Sequence, residues 1–320
     1  MTATRILGVG MGLPKKSLSN FDLPEHLDTS DEWIRERTGI RQRYIVSDGE
    51  MTSSLATEAA RRALEHAGID AQEIDMIILG TATPDLTFPS TATKVQNNLN
   101  IKHGAAFDLQ AACSGFIYGL TLADSLIKSG KMRTALVIGA ETVSSILDWN
   151  DRNTCVLFGD GAGAVVVQAC PSTDDGGILA DRIRSDGAYS SILCATGGPS
   201  STKTIGNLHM HGREVFRHAV SKMEQVAREV IADAGIAISD IKWFVPHQAN
   251  KRILDTIAKT MKIPKERVIS TIDRHANTSA ASIPLALAEM VREDKLQKGD
   301  IVLLTAMGGG LAWGASLLRW

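Results

Sequence analysis

"AGIDAQEIDMIIL" (67–79) returns in altered form as "AGIAISDIKWFV" (234–245). Each copy carries a glycine suited to ending a helix, a short polar loop and an apolar run of strand character. Two further pairs follow in the same order. "AFDLQAACSG" (106–115) is matched by "VISTIDRHANTSA" (268–280), where a strand-like run leads into small residues that open a helix. "TALVIGAE" (134–141) is matched by "DIVLLTAMGGG" (300–310), an apolar strand closing each half. Three echoes in one order describe a βα-rich unit present twice, each copy needing the other to cover its apolar faces. Strands alternating with amphipathic helices make the class α/β. The division falls at "CPSTDDGG" (170–177), whose Pro, Ser, Asp and Gly favour turns. It gives halves of 1–171 and 172–320.

Composition narrows the function classes. The chain has 320 residues, 44% hydrophobic and 22% charged, which is globular rather than disordered. A formal charge of −2 gives no bulk reason to expect nucleic acid or an anionic membrane as partner. The opening "MTATRILGVGMG" lacks the apolar core of a secretory signal, and no uncharged run is long enough to span a bilayer. A cytoplasmic location is therefore expected. Four cysteines, at 113, 155, 170 and 194, form no CxxC pair, so neither a zinc site nor a dithiol motif is written here.

"DLQAACSGF" (108–116) sets one thiol where a strand pattern gives way to a helix. Phe116, Leu120, Ala123 and Ile127 then recur on one helical face, and Gly130 supplies a stop. At a helix mouth, unpaired N–H groups and the dipole favour an anion, so this position is expected to lower the pKa of Cys113 and enrich its thiolate. A small buried packing residue is the alternative. Cys155, Cys170 and Cys194 occupy no such position. "WFVPHQANKRI" (243–253) places His247 after an apolar strand, at the end of a sheet where α/β proteins bind ligands. "STIDRHANTSAAS" (270–282) places Asn277 in a third strand-end loop.

Glycine runs divide in two. "GDGAGAVVV" (159–167) is followed by a β run rather than a helix, and "GVGMGLP" (8–14) by Pro14, so neither is a nucleotide loop. "MGGGLAWG" (307–314) sits beside a strand, where exposed backbone N–H groups can receive an oxyanion. His209 and His211 alternate in "LHMHG" and could share a metal, but no third ligand is in view. No metal site is expected.

"FDLQAACSGF", "VPHQANKRI", "DRHANTSAAS", "FGDGAGA", the terminal "GGGLAWGASLLRW" and the early "DTSDEWIRERTGIRQRY" (28–44) closely resemble the β-ketoacyl-acyl carrier protein synthase III family. The resemblance covers nearly the whole chain. It implies an α/β thiolase-like fold, two duplicated halves in five layers (α-β-α-β-α), assembled as a homodimer. It also implies the initiating condensation of type II fatty acid synthesis, with no cofactor and with CoA thioesters as substrates. Cys113 would take an acyl group from acyl-CoA. Malonyl-acyl carrier protein would then lose carbon dioxide and attack the acyl-cysteine.

The resemblance assigns the remaining roles. His247 and Asn277 would donate hydrogen bonds to the enolate, with His247 neutral, and the N–H groups of Cys113 and Gly309 would form the oxyanion hole. Trp33 and Arg152 would sandwich the CoA adenine, with Thr29, Arg37, Gly212 and Asn250 along the CoA tunnel. Phe88 would reach into the partner's acyl pocket. Lys251, Arg252 and Lys259 would receive the acidic carrier protein; a solvated helix face is the plainer reading of those three. Many members carry an aromatic residue where this chain has Met307, a flexible acyl-pocket residue. A related enzyme joining longer acyl chains, or using another acceptor, is the competing activity.

Overall fold

The computed structural model describes residues 2–171 and 176–320. The turn expected to divide the halves lies mainly at 172–175, outside the described residues.

The chain opens with β1 (Thr2–Gly12) and a small antiparallel pair, β2 (Lys16–Ser19) and β3 (Gln42–Ile45). Then come β4 (Met76–Gly80), β5 (Ala105–Leu109), β6 (Thr134–Glu141) and β7 (Gly161–Pro171). β1, β7, β6, β4 and β5 form one sheet in that spatial order. Beyond residue 176 follow β8 (Gly177–Ser185), a minor pair of β9 (Leu193–Ala195) and β10 (Leu208–Met210), and then β11 (Ile241–Pro246), β12 (Ile301–Gly308) and β13 (Ala312–Arg319). The second sheet runs β8, β13, β12, β11. Four strands of the first sheet have counterparts in the second, with the parallel pair β4·β6 answered by β11·β12 and the antiparallel β6·β7 by β12·β13.

The correspondence fails at one edge. β5 is a full strand pairing parallel with β4. Its expected counterpart, the apolar run before Asn277, is reduced to an isolated parallel bridge between Phe244 and Val268. One further hydrogen bond, from the Ile269 N–H to the Phe244 carbonyl at 2.8 Å, ties it to β11. The chain turns at once into a short helix, so no strand forms there.

Helices complete the layers. α1 (Asp31–Thr38), α2 (Thr52–Ala67), α3 (Thr91–Asn98) and α4 (Gly115–Lys128) come from the first half. α5 (Gly212–Asp233), α6 (Lys251–Met261), the single turn α7 (Ile272–His275) and α8 (Ser282–Arg292) come from the second. Because strand side chains alternate between faces, each sheet feeds two cores. Ile78, Val137, Val165, Val302 and Leu304 join α4 and α8 in a core between the sheets. Ile77, Leu79, Leu136 and Ile138 face α2 and α3, whereas Leu303 and Leu317 face α5 and α6. The order is therefore helix, sheet, helix, sheet, helix. Phe116, Leu120, Ala123 and Ile127 are all buried, as their spacing predicts, and α4 stops at Lys128 with Gly130 at a φ of 73°. Close approach of the layers requires Gly139, where a Cβ would lie 2.2 Å from the Ala280 carbonyl oxygen.

Candidate active site

β5 delivers the chain to a 3-10 turn at Ala112–Ser114, which runs directly into α4. Ala112 holds φ at 46°, a left-handed conformation costing an L-residue on the order of 1–3 kcal/mol. This kink presents Cys113, and the Ser114 hydroxyl anchors it by donating to the Ala312 carbonyl at 2.7 Å. Gly308 makes room, since a Cβ there would lie 2.5 Å from the Cys113 nitrogen.

The expected electrostatics of Cys113 do not hold. Burial pushes the thiol up to about 12, and the Glu141 carboxylate nearby adds to the rise. The Ser279 hydroxyl pulls the other way but does not offset burial. A helix mouth favours an anion only within its short reach, and desolvation at 9% exposure outweighs it here.

His247 follows β11 and is 1% exposed. Its backbone N–H donates to the Thr305 carbonyl at 2.8 Å, and its Nδ1 lies 2.7 Å from the Ser282 hydroxyl at the start of α8. Burial lowers its pKa to about 3, so the imidazole is neutral. The Ser282 oxygen also accepts the Gln248 N–H at 3.3 Å. In the tautomer where Ser282 donates to Nδ1, Nε2 carries the proton. Gln248 staples the loop by donating to the Pro246 and Ile269 carbonyls and accepting the Thr271 N–H.

Asn277 is held from three sides. Its N–H donates to the Leu157 carbonyl, its carbonyl accepts the Gly159 N–H, and its Oδ1 accepts the Ser279 N–H at 2.9 Å. With Oδ1 engaged, the side chain offers the cavity its NH2 group.

Cys113, His247 and Asn277 line one cavity of about 140 Å³, together with Met307, Gly212 and Asn250. Cys113 also lines a second cavity of about 710 Å³ with Gly309, Glu141, Ser279, Ile146 and Ile205. The thiol thus stands where two spaces meet. Met307 belongs to the narrow one. Cys194 lines the wide one, which its sequence context did not indicate, whereas Cys155 and Cys170 are buried.

The other expected residues fall into separate groups. The Arg37 and Arg152 guanidinium carbons lie 4.5 and 5.4 Å from the Trp33 ring centroid. Arg152 also donates to the Asp28 carbonyl at 2.6 Å. Beside them the Thr29 hydroxyl is buried without a partner. Phe88 is 82% exposed and lines neither cavity. Arg252 and Lys259 are exposed on α6, but Lys251 pairs with Asp255 at 2.7 Å, which offsets its charge. The His209 and His211 Nε2 atoms lie 3.1 Å apart, and no group of three metal-ligating side chains forms among the described residues. No helix among those residues is long and apolar enough to cross a membrane.

Two family models match the chain, the 3-oxoacyl-[acyl-carrier-protein] synthase III model over residues 107–187 and its C-terminal model over 231–320. The β-ketoacyl-[acyl-carrier-protein] synthase III of Rhodospirillum centenum is 59% identical over 317 residues, covering 98% of each chain. The chain is a member of the 3-oxoacyl-[acyl-carrier-protein] synthase III family. The crystal structure of the synthase III from Aquifex aeolicus VF5 matches at 51% identity with a TM-score of 0.94, over 99% of this chain and 100% of that one. That from Pseudomonas aeruginosa PAO1 matches at 43% identity and a TM-score of 0.94, over 99% and 98%. The fold of this synthase III family member is therefore thiolase-like, as the family resemblance implied.

Some site residues escaped the sequence reading. Glu141 was visible as the end of an apolar strand, and Ser279 and Ser282 as small residues before α8. Their polar atoms meet others across 35 to 138 positions, and no local pattern marks such contacts.

Proposed function

We propose that this chain catalyses the condensation of an acyl-CoA primer with malonyl-acyl carrier protein, giving 3-oxoacyl-acyl carrier protein, CoA and carbon dioxide. The observation that carries the reading is the meeting of a thiol, a neutral imidazole and an amide NH2 group at one cavity. No carboxylate base stands beside His247 and Asn277 in the narrow cavity, and a decarboxylative condensation needs none, since loss of carbon dioxide itself creates the carbon nucleophile.

In the first half-reaction the Cys113 sulfur attacks the thioester carbonyl and CoA leaves as the thiol. The N–H groups of Cys113 and Gly309 receive the oxyanion. The acyl chain occupies the wide cavity, against side chains such as Val143, Ile146 and Leu193. In the second, the malonyl group enters through the narrow cavity and loses carbon dioxide. Its enolate oxygen takes hydrogen bonds from His247 Nε2 and Asn277 Nδ2, which act on charge that exists only during the reaction. The enolate carbon attacks the acyl-cysteine, and the cysteine sulfur departs.

On the same reading, Trp33, Arg37 and Arg152 take the CoA nucleotide, with Thr29, Gly212 and Asn250 along its path. Arg252 and Lys259, with Lys251 beside them, receive the carrier protein. The exposed Phe88 packs into a second copy, making a homodimer in the cytoplasm whose chains each divide into duplicated halves near residue 171. No cofactor takes part.

The decisive experiment is intact-protein mass spectrometry after incubation with a panel of acyl-CoAs, followed by malonyl-acyl carrier protein. A single acyl adduct that the second substrate consumes supports the reading. Absence of any adduct, or hydrolysis of the adduct without carbon–carbon bond formation, would overturn it.

A further inference from the structure

The thiol of Cys113 is buried and protonated, yet acyl transfer needs a thiolate. His247 is not suited to take its proton. Burial holds its pKa at about 3, so the imidazole is far too weak a base to hold a proton from a thiol near 12. The proton needs another destination.

Glu141, at the end of β6, is fully buried and lines the wide cavity with Cys113 and Ser279. No cation pairs with it among the described residues. Its Oε2 accepts from the Ala82 N–H at 3.0 Å, the Thr83 hydroxyl at 2.6 Å and the Thr81 hydroxyl at 3.2 Å. Both hydroxyls are committed as donors. Thr83 Oγ1 already accepts the Thr142 N–H, and Thr81 Oγ1 the Thr83 N–H. Three donors converging on Oε2 leave it no capacity for a proton. Oε1 has one partner, the Ser279 hydroxyl at 2.9 Å. Glu141 can therefore be protonated only on the oxygen that faces Ser279, and Ser279 lines the same cavity as the thiol, whose pKa its hydroxyl lowers.

We propose that Ser279 and Glu141 are the route by which the Cys113 proton leaves. The S–H proton passes to Ser279 Oγ while that hydroxyl's own hydrogen passes to Glu141 Oε1. The products are a thiolate and a carboxylic acid, with the Ser279 hydroxyl now donating to the sulfur and Glu141 donating to Ser279. One negative charge changes place and no second charge is created. When CoA leaves as a thiolate, the proton held on Glu141 returns to it by the reverse path.

Two further observations agree. Ser279 holds φ at 50°, and its N–H is fastened to Asn277 Oδ1, so its hydroxyl is fixed by a strained turn rather than by chance packing. Burial also raises the pKa of Glu141, which suits a group that must accept a proton. The other titratable side chains lining the two cavities are His247, Lys203 and Cys194.

The inference rests on Cys113 being the nucleophile, and its test is independent of any acyl donor. Alkylation of Cys113 by iodoacetamide, followed by mass spectrometry between pH 6 and 9.5, reads thiolate formation directly. In the wild-type protein the rate should depend only weakly on pH near neutrality. Glu141→Gln keeps the shape and removes the acceptor. It should alkylate at least about tenfold more slowly at pH 7 and gain about tenfold per pH unit, as a thiol without a base does. Ser279→Ala keeps the carboxylate and cuts the path, and should show the same profile. Wild-type rate and profile in Ser279→Ala would overturn the proposal, whatever Glu141→Gln does to folding. A tenfold loss with an unchanged pH profile would overturn it too, since that marks a structural role.

Discussion

The turn that presents Cys113 and the turn that presents Asn277 share a backbone device. In each, an alanine with positive φ (Ala112 at 46°, Ala276 at 58°) immediately precedes the functional residue, and a 3-10 turn leads on to a helix of the middle layer. They differ in what feeds them and in what surrounds them. A full strand, β5, leads to Cys113, whereas a single bridge leads to Asn277. Cys113 shares a cavity with a buried carboxylate and a hydroxyl, while Asn277 is tied through its backbone to Leu157 and Gly159 and through Oδ1 to the Ser279 N–H. On the proposed reading, one shape displays a group that loses a proton and a group that donates a hydrogen bond. The neighbours, not the turn, decide which.

The sharpest test of that division removes the sulfur. Cys113→Ala should gain no acyl mass from any acyl-CoA. Acylation that persists would mean the nucleophile lies elsewhere, for instance at Cys194 on the wide cavity. Next in size, His247→Ala and Asn277→Ala should still be acylated but decarboxylate malonyl-acyl carrier protein ~10²–10³ more slowly, the usual cost of removing a donor to developing charge. Equal loss of both half-reactions would erase the distinction between the two turns.

A smaller effect concerns pH. The pKa of His247 is about 3 in the folded protein against an ordinary value of 6.5, so the unfolded chain binds the proton more readily. The contribution of this group to stability is whole above about pH 6.5 and is lost as pH falls from there toward 3, at up to about 1.4 kcal/mol per unit. Melting midpoints of wild-type protein and His247→Gln, compared from pH 7.5 to 4.5, should show a steeper acid decline in the wild type. Parallel curves would place the imidazole in contact with water.

Smallest of all, Arg252→Glu should raise the apparent KM for malonyl-acyl carrier protein severalfold at low salt and leave self-acylation nearly intact, because surface charge mainly steers encounter. Lys251→Ala should do less, its charge being already matched by Asp255.

Much of this was legible in the chain. The echo at 67–79 and 234–245 reported two sheets because helix ends and apolar strands are local patterns. Cys113, His247 and Asn277 were legible because each follows a strand-like run. What failed was of a different kind. Val268 and Ile269 have the composition of a strand, and only tertiary geometry decides that they make one bridge. The helix mouth at Cys113 is a local feature, but Gly308 against its nitrogen and Ser279 in its cavity come from the far half of the chain. Ser279 reaches Glu141 across 138 positions, and Ser114 reaches Ala312 across 198.

The position of Cys113 between two cavities has a kinetic consequence. On the proposed reading, an acyl group parked in the wide cavity leaves the narrow one free, so nothing need be repositioned between the two half-reactions. The departing thiol and the incoming malonyl thioester must then share a single doorway, and the second cannot pass until the first has gone. Double-reciprocal plots should run parallel, and excess acyl-CoA should act as a competitor of malonyl-acyl carrier protein. Throughput would peak at a middling primer concentration, as at an airlock that jams when too many press on the same door.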